Sequence, residues 1–416
     1  QIAVSANADR TGRSSSAPDA IPQLLGLDGL TAIVSEQNRL SVISIDQLVQ
    51  VVTGRLTNWS QLGYAPGQIN VYIGDSKSTT FNLFKALVLD PSNENPTQNA
   101  RRFASEIDLA QAVSSDKNAI GITSVSLKGS AKSLDISTTC NVSYSPTPFN
   151  IKADEYPLTR HVFLYTTSAP RAHHANGLIN FGLTDQAQQI ISQAGLINQS
   201  IEFLPFKKQG DRIVRSLDPS GDSFDLNLLR TLINEIGESS RMSVSFRFRP
   251  ASFALDPASL ENVKRLAALL SGEELRNADL LLIGFSDALG AFDRNRELSI
   301  VRARQVKQAL LDAAGGRIDA ARLQTRGYGE LIPVGCNDDP QGRARNRRVE
   351  IWVRTNAVPV NAPQIAAPKP REETKRQQRT TRAPAGNAPA GNVNNDPLFR
   401  EFLKWNRQQQ QQPQSN

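Results

Sequence analysis

An aspartate, Asp287, follows the apolar run LLLIGF (280–285), and an arginine, Arg302, comes fifteen positions later in the string GFSDALGAFDRNRELSIVRA. A carboxylate can take an ammonium group, and a planar guanidinium can take a carboxylate through two parallel hydrogen bonds. Together they can clamp a zwitterion, which is how an amino acid end is recognised. The same two side chains can also form an internal salt bridge that ties a helix to a strand. A second group lies in DSKSTTF (75–81), where Ser78 and Thr80 fall at the expected start of a helix. Free backbone N–H groups and the helix dipole make such a start an anion site, and Lys77 adds charge. A plain serine cap satisfies the same pattern.

The elements that must position these residues are legible from periodicity. Up to about Pro205 short β-like runs, LDGLTAIV (27–34), INVYI (69–73), AIGIT (119–123) and HVFLYTT (161–167), alternate with helical patterns, which is an α/β rhythm. SIDQLVQVVTG opens with Ser44 and Gln47 in capping-box spacing and stops at Gly54, a short helix with both ends marked. YIGDSKSTTFNLFKALVL (72–89) reads strand, polar loop, then helix, with Phe81, Phe84 and Val88 on the helix face. Residues 206–240 read as a connector with one helix in FDLNLLRTLINEIG. A second α/β unit follows over 241–355: MSVSFRF (242–248) alternates like a strand, and a helix carries Val263, Leu266 and Leu270. LLLIGF is a buried strand with Asp287 at its carboxyl end, where open α/β layers hold ligands. The next helix spans roughly 295–314, with Leu298, Val301, Val306 and Leu310 inward, and strands at RLQTRGYG and RRVEIWVR complete the unit. Arg347 and Arg348 alternate on that last strand, so one faces the site or helix layer and the other solvent.

Composition bounds the function. The chain has 416 residues, 39% of them hydrophobic, which predicts two soluble folded units, and no apolar run approaches the ~20 residues of a transmembrane helix. The net charge is +7, yet residues 356–416 hold nine Lys/Arg against four acids, leaving +2 for the rest. A basic nucleic-acid groove in the folded part is therefore not expected. That tail, rich in Pro, Ala, Asn and Gln, reads as disordered apart from a marginal amphipathic helix at DPLFREFLKW, through Leu398, Phe402 and Trp405. Cys140 and Cys336 lack metal-site spacing, and His161, His173 and His174 read as surface residues. No nucleophile–base pair, metal cluster, cofactor loop or Gly-rich nucleotide loop stands out, so an enzyme is not expected.

The string SD (286–287), Asn295, LSIVRA (298–303), RGYGE (326–330) and NRRVEIWV (346–353) resembles the signature of the OmpA-like peptidoglycan-binding domain over 241–355. The resemblance implies an α/β sandwich in which Asp287 and Arg302 grip the amino and carboxylate groups of diaminopimelate in the stem peptide, with Asn295 and Arg347 as further contacts. LDGLTAIV, TGRLTNWSQLG, the D-x-x-S-x-T loop, DKNAIGIT and DEYPLTRHVFLY resemble, in order, PstS-like phosphate-binding proteins of the type II periplasmic fold over 1–205. That resemblance implies two α/β lobes closing over an oxyanion, with Asp75 as acceptor for a protonated phosphate oxygen and Ser78 and Thr80 as donors. The same family places its first strand and anion loop ahead of Gln1. The chain is thus expected to bind phosphate weakly or not at all, and Cys140 to pair upstream rather than with Cys336 in the other unit. The overall expectation is a non-catalytic periplasmic protein of a Gram-negative envelope, held to peptidoglycan, whose first domain binds phosphate or a similar oxyanion or has become a protein-interaction module.

Overall fold

The computed structural model describes residues 2–7, 21–166 without 139 and 141, 177, 181–215 without 183, 225–248, and 253–354 without 274. The expected basic tail with its short helix, and His173 and His174, lie outside the described residues.

Beside a small three-stranded sheet from Val42–Ser44, Asp135–Ser137 and Ser143–Tyr144, the first domain is built on a large mixed sheet. Its strands are β1 (Ile2–Asn7), β2 (Ile21–Val34), β3 (Asn70–Gly74), β4 (Arg101–Phe103), β5 (Ala119–Ser124) and β6 (Thr159–Thr166), in the order β1-β6-β2-β5-β3-β4, with the short strand Lys132–Ser133 also on β2. β2 is long enough to serve both halves: Ile21 to Gly29 pairs with β6, and Leu30 to Val34 pairs with β5. Helix α1 (Ile45–Val52) starts at the expected capping box, where the Ser44 hydroxyl accepts from Gln47 N and the Gln47 side chain accepts from Ser44 N. Helix α2 (Thr79–Phe84) buries Phe81 and Phe84, and α3 (Glu106–Ser115) packs Leu109 and Val113 on the other face of the sheet with Ile33.

The second domain carries β7 (Phe203–Pro205), β8 (Ser239–Arg247), β9 (Leu280–Gly284), β10 (Leu323–Gly327) and β11 (Arg348–Arg354), in the order β7-β8-β11-β9-β10. One face is covered by α5 (Pro257–Ser271) and α6 (Phe292–Ala314). On the other, α4 (Leu226–Ile236), together with Phe206 and Ile213, packs on Ile283, Phe285 and Trp352. The seam of α6 differs from the expected one. Val306 and Leu310 are buried, but Leu298 and Val301 are only half-buried, and Asn295, Ser299 and Ala303 take the inner positions. Small residues there let the helix backbone meet the sheet at glycines: a Cβ on Gly284 would lie 1.9 Å from Ser299 O. No helix among the described residues is long and apolar enough to cross a membrane.

Two expectations fail for one reason: the domains dock. Cys140 and Cys336 form a disulfide, with Cα atoms 5.6 Å apart across 196 residues of sequence. The expectation of separate cysteines treated the units as independent, whereas Val334 of the second domain sits in the hydrophobic cluster of the first. His161 is likewise buried rather than exposed, because β6 lies between β1 and β2 and its Nε2 sits 3.9 Å from Asp154 at the junction. The alternating strand β8 is buried on both faces. Its polar face meets the first domain: Ser245 donates to Ala153 O at 2.7 Å, and Arg241 and Arg247 reach Glu155 and Asp154.

Candidate functional site

The first candidate site forms where the chain leaves β9. Phe285 N donates to Arg348 O and Ser286 N to Gly329 O, so the backbone up to Asp287 is fixed on both sides by neighbouring segments. Asp287 is buried, accepts from Leu289 N at 3.3 Å, and pairs with Arg347 Nη1 at 2.5 Å. Among the described residues no salt bridge joins Asp287 to Arg302, so the internal-bridge alternative falls to Arg347 instead. Arg302 lies with its guanidinium 5.6 Å from the Phe248 ring centre. Burial lowers its pKa and the Arg347 charge lowers it further, against an opposing pull from Asp287. Asn295 is seven residues earlier on α6 and hence on the same helix face.

Three polar atoms around this point are buried without a hydrogen-bond partner among the described residues: Ser286 Oγ, Asn295 Nδ2 and Arg302 Nε. Leaving such a group unsatisfied costs roughly 1–3 kcal/mol each, a cost that a polar ligand bound there would remove. The site offers a carboxylate and a guanidinium that, among the described residues, makes no salt bridge.

The loop beneath Asp287 is held by residues that the sequence reading passed over. Asn337 Oδ1 accepts from Ala288 N at 3.1 Å, and Asn337 O accepts from Arg343 at 2.7 Å. Asn346, fully buried, accepts from Val334 N and donates to Gly335 O and to Asn337 Oδ1. The spacing N-D-D-P…N-R-R was available as a signal, since Asp339 caps helix α7 (Pro340–Asn346).

The second candidate site is at β3 and α2. Ser78 is the cap of α2 and its hydroxyl accepts from Phe81 N at 3.1 Å; Asp75 accepts from Lys77 N at 2.8 Å. Gly74 is required because Ser78 folds back over the strand end, where a Cβ would meet Ser78 Oγ at 2.4 Å. Lys77 is exposed. Thr80 is buried and its hydroxyl accepts from Arg160 Nη1 at 3.1 Å, so it turns inward, away from Lys77. Arg160 in turn grips Asp28, through Nε at 2.9 Å and through Nη2, and Ser124 donates to the same carboxylate at 2.6 Å. The four expected residues are thus brought to one strand–helix turn, but Ser78 and Thr80 serve the fold. Arg160 and Asp28 were missed because neither stands in the loop that carries the motif.

Residues 247–347 match the OmpA family, and residues 3–186 match a PBP superfamily domain. The chain is 34% identical over 114 residues to the putative lipoprotein YfiB of Escherichia coli K12, which is 27% of this chain and 69% of that protein. It is 32% identical over 136 residues to the probable lipoprotein YiaD of the same organism, which is 33% of this chain and 53% of that protein. The chain therefore spans about half the length of YiaD. Among solved structures it is similar to an ABC-type phosphate transport receptor from Vibrio cholerae, at 23% identity and a TM-score of 0.41, over 47% of this chain and 79% of that one.

Proposed function

As a chain that belongs to the OmpA family through residues 247–347 and carries a PBP superfamily domain over 3–186, this protein, we propose, is a non-catalytic anchor that binds peptidoglycan in a Gram-negative periplasm. The observation that supports the reading is the set of buried, unpartnered polar atoms, Ser286 Oγ next in sequence to Asp287, and Asn295 Nδ2 and Arg302 Nε on one face of α6. In this reading Asp287 takes the ammonium of a diaminopimelate side chain, and Arg302 takes its carboxylate through parallel hydrogen bonds. Asn295 donates from Nδ2, and Arg347 shares Asp287 with the ligand. The lipoprotein names of the two relatives support an envelope location. Wall binding falls to the unit expected over 241–355, which β7 and α4 complete from the chain before it, and the first domain's role to the residues ahead of β7. Sedimentation with purified sacculi tests this: the protein pellets with them, and Asp287→Ala does not.

For the first domain we infer an interaction or docking role over tight phosphate binding. Of Asp75, Lys77, Ser78 and Thr80, two have their hydroxyls committed to the helix cap and to Arg160. A closed oxyanion site must offset the desolvation of the anion with several donors. One exposed lysine at a helix start supplies on the order of 1 kcal/mol, screened by salt. Calorimetry with inorganic phosphate distinguishes the roles, since micromolar binding by this chain contradicts the docking reading.

A further inference from the structure

The segment from Ile332 to Arg347 belongs by sequence to the second domain, yet it is fastened to the first directly at two points and through Arg247 at a third. Val334 inserts into the hydrophobic cluster formed around β2, α1 and Tyr144. Cys336 is bonded to Cys140. At the far end, Arg247 donates to the carbonyls of Ala344 and Arg345, the last turn of α7. Its Nε and Nη2 are held by the Asp154 carboxylate and carbonyl at 3.0 and 2.8 Å. The chain enters the segment through Ile332 at φ 51°, a conformation that a β-branched residue holds only when its surroundings impose it. Between these fastenings, and just past the last of them, lie two of the groups that shape the proposed wall site. Asn337 holds the amide after Asp287, and Arg347 holds the Asp287 carboxylate.

We propose that residues 332–347 are an arm of the peptidoglycan site that the first domain keeps in register, with the Cys140–Cys336 bond as its fastener, so that affinity for diaminopimelate depends on the redox state of that bond. The inference rests on the peptidoglycan reading above. Cys336 is 1% exposed but Cys140 is only half-buried, so a dithiol can reach the bond from the Cys140 side. Attack by one thiolate of the dithiol forms a mixed disulfide and releases one cysteine thiolate. Closure of the reductant to its cyclic disulfide then releases the other, and both cysteines take up protons. The arm keeps its contacts through Val334 and Arg247 but samples more positions. Asn337 and Arg347 are positioning residues in this scheme, and affinity falls in proportion to the fraction of molecules with the arm in place.

The test is calorimetric titration of the full chain with a muropeptide ending in diaminopimelate, oxidised and after dithiothreitol. Reduction should raise Kd about three- to tenfold, as for a competent fraction of roughly 0.1 to 0.3. Cys140→Ser with Cys336→Ser should match the reduced protein and ignore the reductant. In Arg347→Ala the redox effect should shrink, because one of the two links from arm to Asp287 is gone. Amide resonances of Ala288 and Arg347, recorded without ligand, should move on reduction, a change that general loosening elsewhere does not produce. Equal Kd in both redox states overturns the proposal. So does a redox effect undiminished in Arg347→Ala with both resonances fixed. Absence of binding by the oxidised wild type overturns the peptidoglycan reading itself, and this proposal with it.

Discussion

Arg302 and Arg347 carry the same charge and both act on the Asp287 carboxylate, but their environments give them different work. Arg347 is 30% exposed in its pair with Asp287, so solvent screens it and the pair contributes roughly 0–1 kcal/mol. Arg302 has burial and the Arg347 charge lowering its pKa against the pull of Asp287, and makes no salt bridge among the described residues, so in the proposed reading it takes the ligand carboxylate. Arg302→Ala is therefore expected to lose roughly 1.5–3 kcal/mol of muropeptide affinity, about one to two decades, with little change in thermal midpoint. Arg347→Ala should lose less. Titration of both variants beside a melting curve checks the order. At the other site, Thr80→Val removes the acceptor of a buried guanidinium and should cost roughly 1–3 kcal/mol in urea unfolding, while the heat of phosphate addition stays unchanged. The Asp287 and Arg302 pattern was legible because both stand beside recognisable strand and helix signals. The partner of Asp287 was not, since Arg347 reaches it from the end of α7, ahead of β11 and sixty residues on, and Thr80 was read as a donor because its inward neighbour Arg160 lies eighty residues away.

The elements themselves followed from periodicity wherever one face is apolar and the other wet. Helix α1 with its capping box, the strand–loop–helix around Gly74, and β9 stand where the sequence places them. Helix α6 was placed correctly and rotated wrongly: hydrophobic size favoured Leu298 and Val301, but contact with Gly284 and Gly327 selects Asn295, Ser299 and Ala303. A small-residue helix face opposite strand glycines is the signal that hydrophobicity alone passes over. It has a consequence for stability. A Cβ on Gly284 meets backbone 1.9 Å away, so Gly284→Ala should destabilise by at least the ~1–3 kcal/mol usual for overpacking. It should also move α6, and Asn295 and Arg302 with it, so that muropeptide binding and unfolding midpoint fall together. A variant that lost neither would contradict the close helix–sheet contact.

At the scale of the whole molecule, the two domains meet through buried charge. Glu155 of the first domain faces Arg241 and Arg212, and Glu350 on β11 faces Arg212 and Arg348, all of them buried. Burial pushes the Glu155 carboxyl up, but the guanidinium groups of Arg241 and Arg212 outweigh it and hold it below the usual carboxylate range. Burial acts the same way on Glu350, and Arg212, Arg348 and Arg241 hold that carboxyl lower still. Groups with depressed folded-state pKa stabilise above the unfolded value, about 4.3 for glutamate, and that stability is lost as pH falls through the range below it. The melting temperature should thus be flat from neutral pH to about 5 and drop steeply below 4, and Glu155→Gln should be weaker throughout because it strands buried arginines. Linear extended patterns could not announce this docking: Ser243, Ser245 and Arg247 look like a solvent face until the first domain covers them.

The central claim is that the mouth of β9 recognises a free amino acid head. Its most direct measurement is calorimetric titration of the oxidised chain with two stem peptides alike except at one position, one bearing diaminopimelate and the other lysine. The lysine side chain keeps the ammonium for Asp287 and lacks the carboxylate for Arg302. The diaminopimelate peptide should bind at least about tenfold tighter, one charge-assisted contact being roughly 1.5–3 kcal/mol, and Arg302→Ala should erase the difference. Equal affinity for the two peptides, or a preference that survives Arg302→Ala, contradicts the claim.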